Sequence, residues 1–102
     1  GCRLVLTGDF NAAEASPPYA ALFADDAAAP KLLDTLRAAV PQSTGPEATF
    51  NGFDPTNTAG ERIDWIGCSP DWRVVAASID RTVVAGRTPS DHWPVTATLT
   101  PR

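Results

Sequence analysis

Basic side chains are scarce in this chain. Eight Lys and Arg stand against twelve Asp and Glu, for a formal net charge of −4. Lys31 is the single lysine, and the arginines are scattered rather than clustered. Backbone binding to nucleic acid needs grouped cations, so the composition argues against a general affinity for long duplexes. Cysteine is scarce too. Cys2 and Cys68 fit neither a CxxC nor a Cys/His zinc pattern, which leaves two free thiols or one disulfide open. Long apolar runs are missing, because Asp, Thr or Pro interrupts each one, and no transmembrane helix is expected. Gly1-Cys2-Arg3 leads straight into a strand-like run with no leader pattern, and no compartment is read from it. What remains is 102 residues, 43% hydrophobic and 20% charged, which fits one globular domain over 1–102, or part of one.

Arg3-Leu4-Val5-Leu6-Thr7 is an apolar, partly β-branched run, and it predicts a buried strand that ends at Gly8. Pro17 and Pro18 mark a helix start, with a short helix over Tyr19 to Ala24. Asp25 and Asp26 stand near the start of the next Ala-rich segment. From Lys31 to Val40, the spacing of Leu32, Leu33, Leu36, Ala39 and Val40 predicts an amphipathic helix that Pro41 ends. Gln42 to Gly60 is rich in turn residues and reads as a long loop. Strands are expected over Arg62–Cys68, Trp72–Ile79, Arg81–Ala85 (or a continuation) and Trp93–Leu99. Strands grouped late, after two helices, point to an α+β sheet with helices on one face. Nothing in the chain is left over to cover the other face, which points to part of a larger domain.

Polar residues gather at three strand boundaries: Gly8-Asp9-Phe10-Asn11, Arg62-Ile63-Asp64-Trp65-Ile66 and Ser90-Asp91-His92-Trp93-Pro94. Asp64 lies between Ile63 and Trp65, where a carboxylate is costly without a partner. His92 is the single histidine, and a carboxylate on one of its nitrogens would fix the tautomer and favour the charged ring. Asp64 and His92 are therefore an orienter and acid/base pair. Asp9 and Asn11 sit two apart on a strand exit, so both can face one way. The carboxylate can take a proton from an attacking water while the amide donates to a phosphoryl oxygen. Asp91 adds a hard oxygen donor suited to Mg²⁺ or Mn²⁺. Each motif alone reads as a turn or a strand-end cap. Asn51 and Phe53, in the long loop, are candidates for touching a substrate, whereas Trp65 and Trp93 read as packing. A serine hydrolase using Ser90, His92 and an Asp is disfavoured, because no G-x-S-x-G elbow exists.

Together these motifs resemble the endonuclease/exonuclease/phosphatase family, which has the deoxyribonuclease-I-like fold. Gly8-Asp9-Phe10-Asn11 is similar to its G-D-F/L-N motif. Arg62 to Ile66 resembles its R-I/L-D-Y/W-I/F strand, and Ser90 to Val95 its closing S-D-H-x-P-V/I motif. Thr49-Phe50 falls where members often carry a T-F pair. The resemblance implies half of a four-layer α/β sandwich, with a mainly antiparallel or mixed sheet, and it places the chain in the C-terminal half. It also implies a metal-dependent phosphoester hydrolase, either phosphodiesterase, nuclease or phosphatase. In that scheme Asp9 directs the water, Asn11 and His92 bind the phosphate, Asp64 orients His92, and Asp91 with Asp9 stands on the Mg²⁺ or Mn²⁺ side. The family's N-terminal half, with its metal-binding Glu, has no counterpart here, and Glu14, Glu47 and Glu61 read as surface or loop carboxylates. The partners implied are a phosphoester substrate and the missing N-terminal half. A non-catalytic module that self-associates through its bare sheet face is the alternative.

Overall fold

The computed structural model describes residues 2–24 and 31–102. Asp25 and Asp26 lie outside the described residues. In chain order the elements are β1 (Val5–Asp9), α1 (Pro17–Phe23), β2 (Leu33–Asp34), α2 (Thr35–Ala39), β3 (Asp64–Cys68), β4 (Trp72–Ile79) and β5 (Val95–Pro101). The class is α+β. Among the described residues the expected single sheet is instead two antiparallel ones. One has the order β1-β3-β2 and the other is the pair β4-β5. Both neighbours of β3 run against it.

The expected Lys31–Val40 helix is shorter than its periodicity implied. Leu33 and Asp34 are extended and pair with Cys68 and Gly67 of β3. Asp34 then caps α2, its Oδ1 accepting the Leu36 N–H at 3.2 Å. An Asp competes for backbone donors, so it starts a helix better than it continues one. The expected Arg81–Ala85 strand is reduced to a bridge between Val84 and Arg87. Ala85 and Gly86 both have positive φ, 52° and 73°, which turns the chain back at once.

Trp65 organises the core. It is 1% exposed, stacks on Phe10 at 4.6 Å, and meets the edges of Tyr19 and Phe23 from α1. Its indole N–H donates to the Arg62 carbonyl at 2.8 Å. Gly67 lets α1 approach, because a Cβ there would meet the Phe23 ring at 2.9 Å. Trp93 is buried as well, and its indole N–H donates to the Asn57 carbonyl. Both tryptophans are packing residues, as expected.

A buried ionic knot ties α1, β2 and β3 together. Arg62 donates to both carboxylate oxygens of Asp34, with both side chains almost wholly buried. The Tyr19 hydroxyl donates to Asp34 at 2.6 Å, and burial with that bond pushes its pKa up. Glu14 and Glu47 are not free surface carboxylates. Both accept from the Arg37 guanidinium, which therefore bridges the segment before α1 to the segment before β3.

One expectation about β1 changes. The strand is not buried: Leu4 and Val5 are 51% and 45% exposed. β1 pairs with β3 along one edge, and no other described strand pairs with its second edge. Cys2 and Cys68 are free thiols, the first exposed and the second buried in β3. Burial raises the Cys68 thiol above its ordinary pKa.

Candidate functional site

The register of β1 against β3 builds the site. Asp9 ends β1 directly opposite Asp64, which begins β3. Two carboxylates in facing positions repel each other unless a cation lies between them. His92 supplies that partner. Its Nδ1 lies 2.8 Å from Asp64 Oδ2, and its Nε2 lies 3.6 Å from Asp9 Oδ2. The ligand atoms of Asp9, Asp64 and His92 all lie within 4.8 Å of one another. An ionised carboxylate only accepts, so the Nδ1–H donates to Asp64 and Nε2 faces Asp9.

The charge environment follows from this geometry. The hydrogen bond to Asp64 holds the imidazole pKa above its ordinary value. Partial burial opposes the rise, while the charges of Asp64, Asp9 and Asp91 add to it. The surrounding carboxylates therefore favour the charged form of the ring, whose Nε2 faces the exposed carboxylate of Asp9.

The loop before β3 fixes His92 from the other side. Phe50 forms an isolated bridge with His92, and its ring meets the imidazole edge-on at 5.3 Å. The Trp93 backbone N–H donates to the Thr49 carbonyl at 2.7 Å. The Thr49 hydroxyl accepts the N–H groups of both Ile63 and Asp64, at 2.9 and 3.1 Å. One buried threonine thus connects the His92 segment to the Asp64 segment.

Asn11 follows the strand exit with φ of 47°, in the left-handed region that Asn tolerates. Its N–H donates to Asp9 Oδ1 at 3.0 Å, a turn that holds the Asp9 carboxylate in place. A cleft of about 330 Å³ opens here, lined by Asp9, Asn11 and His92 together with Phe50 and Glu61. A second cleft, of about 440 Å³, lies on the Asp64 side of His92 and reaches Trp65 and Trp93.

The structure thus brings together Asp9, Asn11, Asp64 and His92 and sets Asn51 and Phe53 apart from them. Asn51 is 1% exposed and lines neither His92 cleft, because its Oδ1 is taken by the Phe53 N–H at 2.7 Å. The N–H groups of Asn51 and Gly52 donate to the Asp91 carbonyl, so this turn supports the His92 segment from beneath. Phe53 is 67% exposed at φ 67° and lines a different cleft with Arg87 and Thr88. Asp91 is half-buried and lies outside the three-residue donor group. Glu61, read from the sequence as a surface or loop carboxylate, is exposed in the loop and also lines the Asp9 cleft.

The donor set fits a hard divalent ion in part. Mg²⁺ is typically held by one or two carboxylates, with water and substrate oxygens completing its shell. The Asp9 carboxylate is exposed and positioned for such a role, whereas the Asp64 carboxylate is committed to His92.

Comparison with known proteins agrees with this geometry. The sequence pattern of the Endonuclease/Exonuclease/phosphatase family matches residues 1–92. No curated protein matches the chain. Among solved structures, a mannosyl-6-phosphatase of Bacteroides thetaiotaomicron VPI-5482 is 31% identical over 96% of this chain, with a TM-score of 0.76. An endonuclease/exonuclease/phosphatase family protein from Bacteroides thetaiotaomicron is 30% identical over 95% of this chain, with a TM-score of 0.77. A conserved protein of unknown function from Enterococcus faecalis V583 is 27% identical over 98%, with a TM-score of 0.75. The chain spans 37%, 38% and 37% of the Enterococcus protein, the phosphatase and the family protein, respectively. On the match over residues 1–92 and the convergence of its three motifs, the chain belongs to the endonuclease/exonuclease/phosphatase family.

Proposed function

We propose that these residues form one side of the active site of a phosphoester hydrolase that uses water as nucleophile and Mg²⁺ or Mn²⁺ as cofactor. The observation that carries the reading is the convergence of Asp9, Asp64 and His92 from three strand boundaries onto one point. An attacking water beside Asp9 loses its proton to that carboxylate as it meets phosphorus in line with the leaving oxygen. The Asn11 amide donates to a phosphoryl oxygen. His92 donates from Nε2 to the same developing charge, and Asp64 holds the ring and its tautomer. Asp9, with Asp91 in the adjoining turn, would stand on the side of a divalent ion, which would neutralise the phosphoryl oxygens when bound.

The similar mannosyl-6-phosphatase supports phosphoester chemistry on this scaffold. Phosphatase and phosphodiesterase or nuclease activity use the same groups, so the site chemistry is common to both. The test is hydrolysis of phenyl phosphate and bis(4-nitrophenyl) phosphate by the full-length protein with Mn²⁺. Asp9→Ala is expected to lose activity by roughly 10²–10⁴-fold, the range for a positioned acid/base group. Full activity in that variant contradicts the reading.

A further inference from the structure

We propose that Arg81 is a positioning residue for the reaction, whose guanidinium fixes the His92 segment against the Asp64 segment from behind the site. This rests on the reading of the site as a phosphoester hydrolase. Arg81 stands where three pieces of the fold meet. Its Nη1 donates to the Ala48 carbonyl at 2.6 Å and its Nη2 to the Pro46 carbonyl at 3.1 Å. Its guanidinium carbon lies 5.3 Å from the centre of the Trp93 ring, within cation–π range. Ala48 immediately precedes Thr49, whose hydroxyl accepts the Ile63 and Asp64 N–H groups. Trp93 immediately follows His92, and its backbone N–H donates to the Thr49 carbonyl. Arg81 therefore closes a ring of contacts around Thr49, with Asp64 held on one side and His92 on the other.

Arg81 reaches the reacting groups only through these neighbours. Ala48 lines the Asp9 cleft and Trp93 the Asp64 cleft, whereas Arg81 lines neither. It opens instead on a separate cleft between α2 and β4. Its charge is spent on backbone and ring. Among the described residues no carboxylate forms an ion pair with Arg81, and the Glu47 carboxylate is taken by Arg37. Burial pushes the Arg81 pKa down, and the charge of Glu47 opposes this. The two long strands hold the base of the clamp. The Asp80 N–H donates to the Pro94 carbonyl at 2.7 Å, and the Asp80 carboxylate accepts the Thr82 N–H at 2.8 Å. A planar guanidinium can bond two carbonyls and meet an indole at once, whereas the ammonium of a lysine is a point charge without that plane.

The test is steady-state hydrolysis of phenyl phosphate and bis(4-nitrophenyl) phosphate by the full-length protein with Mn²⁺, joined to the tryptophan indole N–H signals in NMR spectra. In Arg81→Ala, kcat and kcat/KM are expected to fall together by about 10–100-fold, because misplaced groups slow the chemistry without removing a substrate contact. KM stays within about twofold of wild type. Arg81→Lys keeps the charge and shows the same split. Millimolar methylguanidinium restores part of kcat in Arg81→Ala and leaves the wild type unchanged. The Trp93 indole signal moves in both variants, while that of Trp65 in the core stays in place. A merely structural staple would lower the amount of folded enzyme and leave the rate per folded molecule at the wild-type value, which overturns the proposal. A rise in KM at constant kcat, the mark of a lost substrate contact, overturns it as well. If Arg81→Ala fails to fold, Arg81→Lys decides by the same kcat and KM readings. An active wild type with unaltered kcat in the variants removes this proposal and leaves the hydrolase reading standing, whereas no wild-type turnover of either ester removes both.

Discussion

At the scale of single residues, the site is an acid–base arrangement with a definite sign. The Asp64 bond favours the charged imidazole, so the folded protein binds the His92 proton more tightly than the unfolded chain does. That contribution to stability is complete below the ordinary histidine pKa of 6.5 and is lost as pH rises through the elevated folded value. In the metal-free protein, the His92 ring signals in an NMR titration are expected to move with a midpoint above 6.5. Asp64→Asn should lower that midpoint. An unchanged midpoint in the variant means that Asp64 does not govern the ring. Much of this was legible in the sequence, because an Asp flanked by Ile63 and Trp65 requires a partner and His92 is the single imidazole. Phe50 and Glu61 were harder to place, because a loop residue's contacts depend on how the loop returns. Asn51 was a candidate with Phe53 because both stand on the loop near the site; its side-chain oxygen closes its own turn by accepting the Phe53 N–H.

At the scale of elements, polar groups decide the boundaries that hydrophobic periodicity missed. The leucine spacing from Lys31 to Val40 is helical, but Asp34 breaks it by capping α2 and by binding Arg62 inside the fold. Removing one partner of a buried ion pair leaves the other charge without compensation. Asp34→Ala is therefore expected to destabilise the protein by about 3–5 kcal/mol in denaturant unfolding, an amount that a surface aspartate would not reach. A loss below about 1 kcal/mol would show that the Arg62 charge finds another partner, with Glu14 the nearest at 3.4 Å. Gly67→Ala tests the approach of α1 to β3 in the same assay. The added methyl has to displace the Phe23 ring, at a cost of about 1–3 kcal/mol. The β4–β5 pair was the most legible part, since the strand expected over Trp72–Ile79 has those same bounds. Its bulge between Val74 and Ala76 left no trace in the residue pattern.

At the scale of the whole molecule, the site sits on two small sheets with one apolar strand in the open. Leu4 and Val5 of the β1 segment are exposed, and the chain spans 37–38% of its similar solved structures. Among the described residues no helix is long and apolar enough to cross a membrane. The 102 residues expressed alone are expected to elute above monomer size, through pairing of the open β1 edge or face. A strict monomer in size-exclusion with light scattering would count against such self-pairing. The class and the site were readable because motifs fix strand ends, whereas exposure was not. A run such as Arg3 to Thr7 looks buried in any sequence, and whether it is depends on residues far from it.

The central claim is that Asp9, Asp64 and His92 act on one phosphoester. The most direct measurement is the rate of phenyl phosphate hydrolysis by the full-length His92→Ala protein, with Mn²⁺ added and then removed by chelation. The account predicts a loss of roughly 10²–10⁴-fold with the ion present. Wild-type activity should vanish on chelation and return with the ion. Undiminished hydrolysis in His92→Ala, or wild-type turnover indifferent to the chelator, would contradict it.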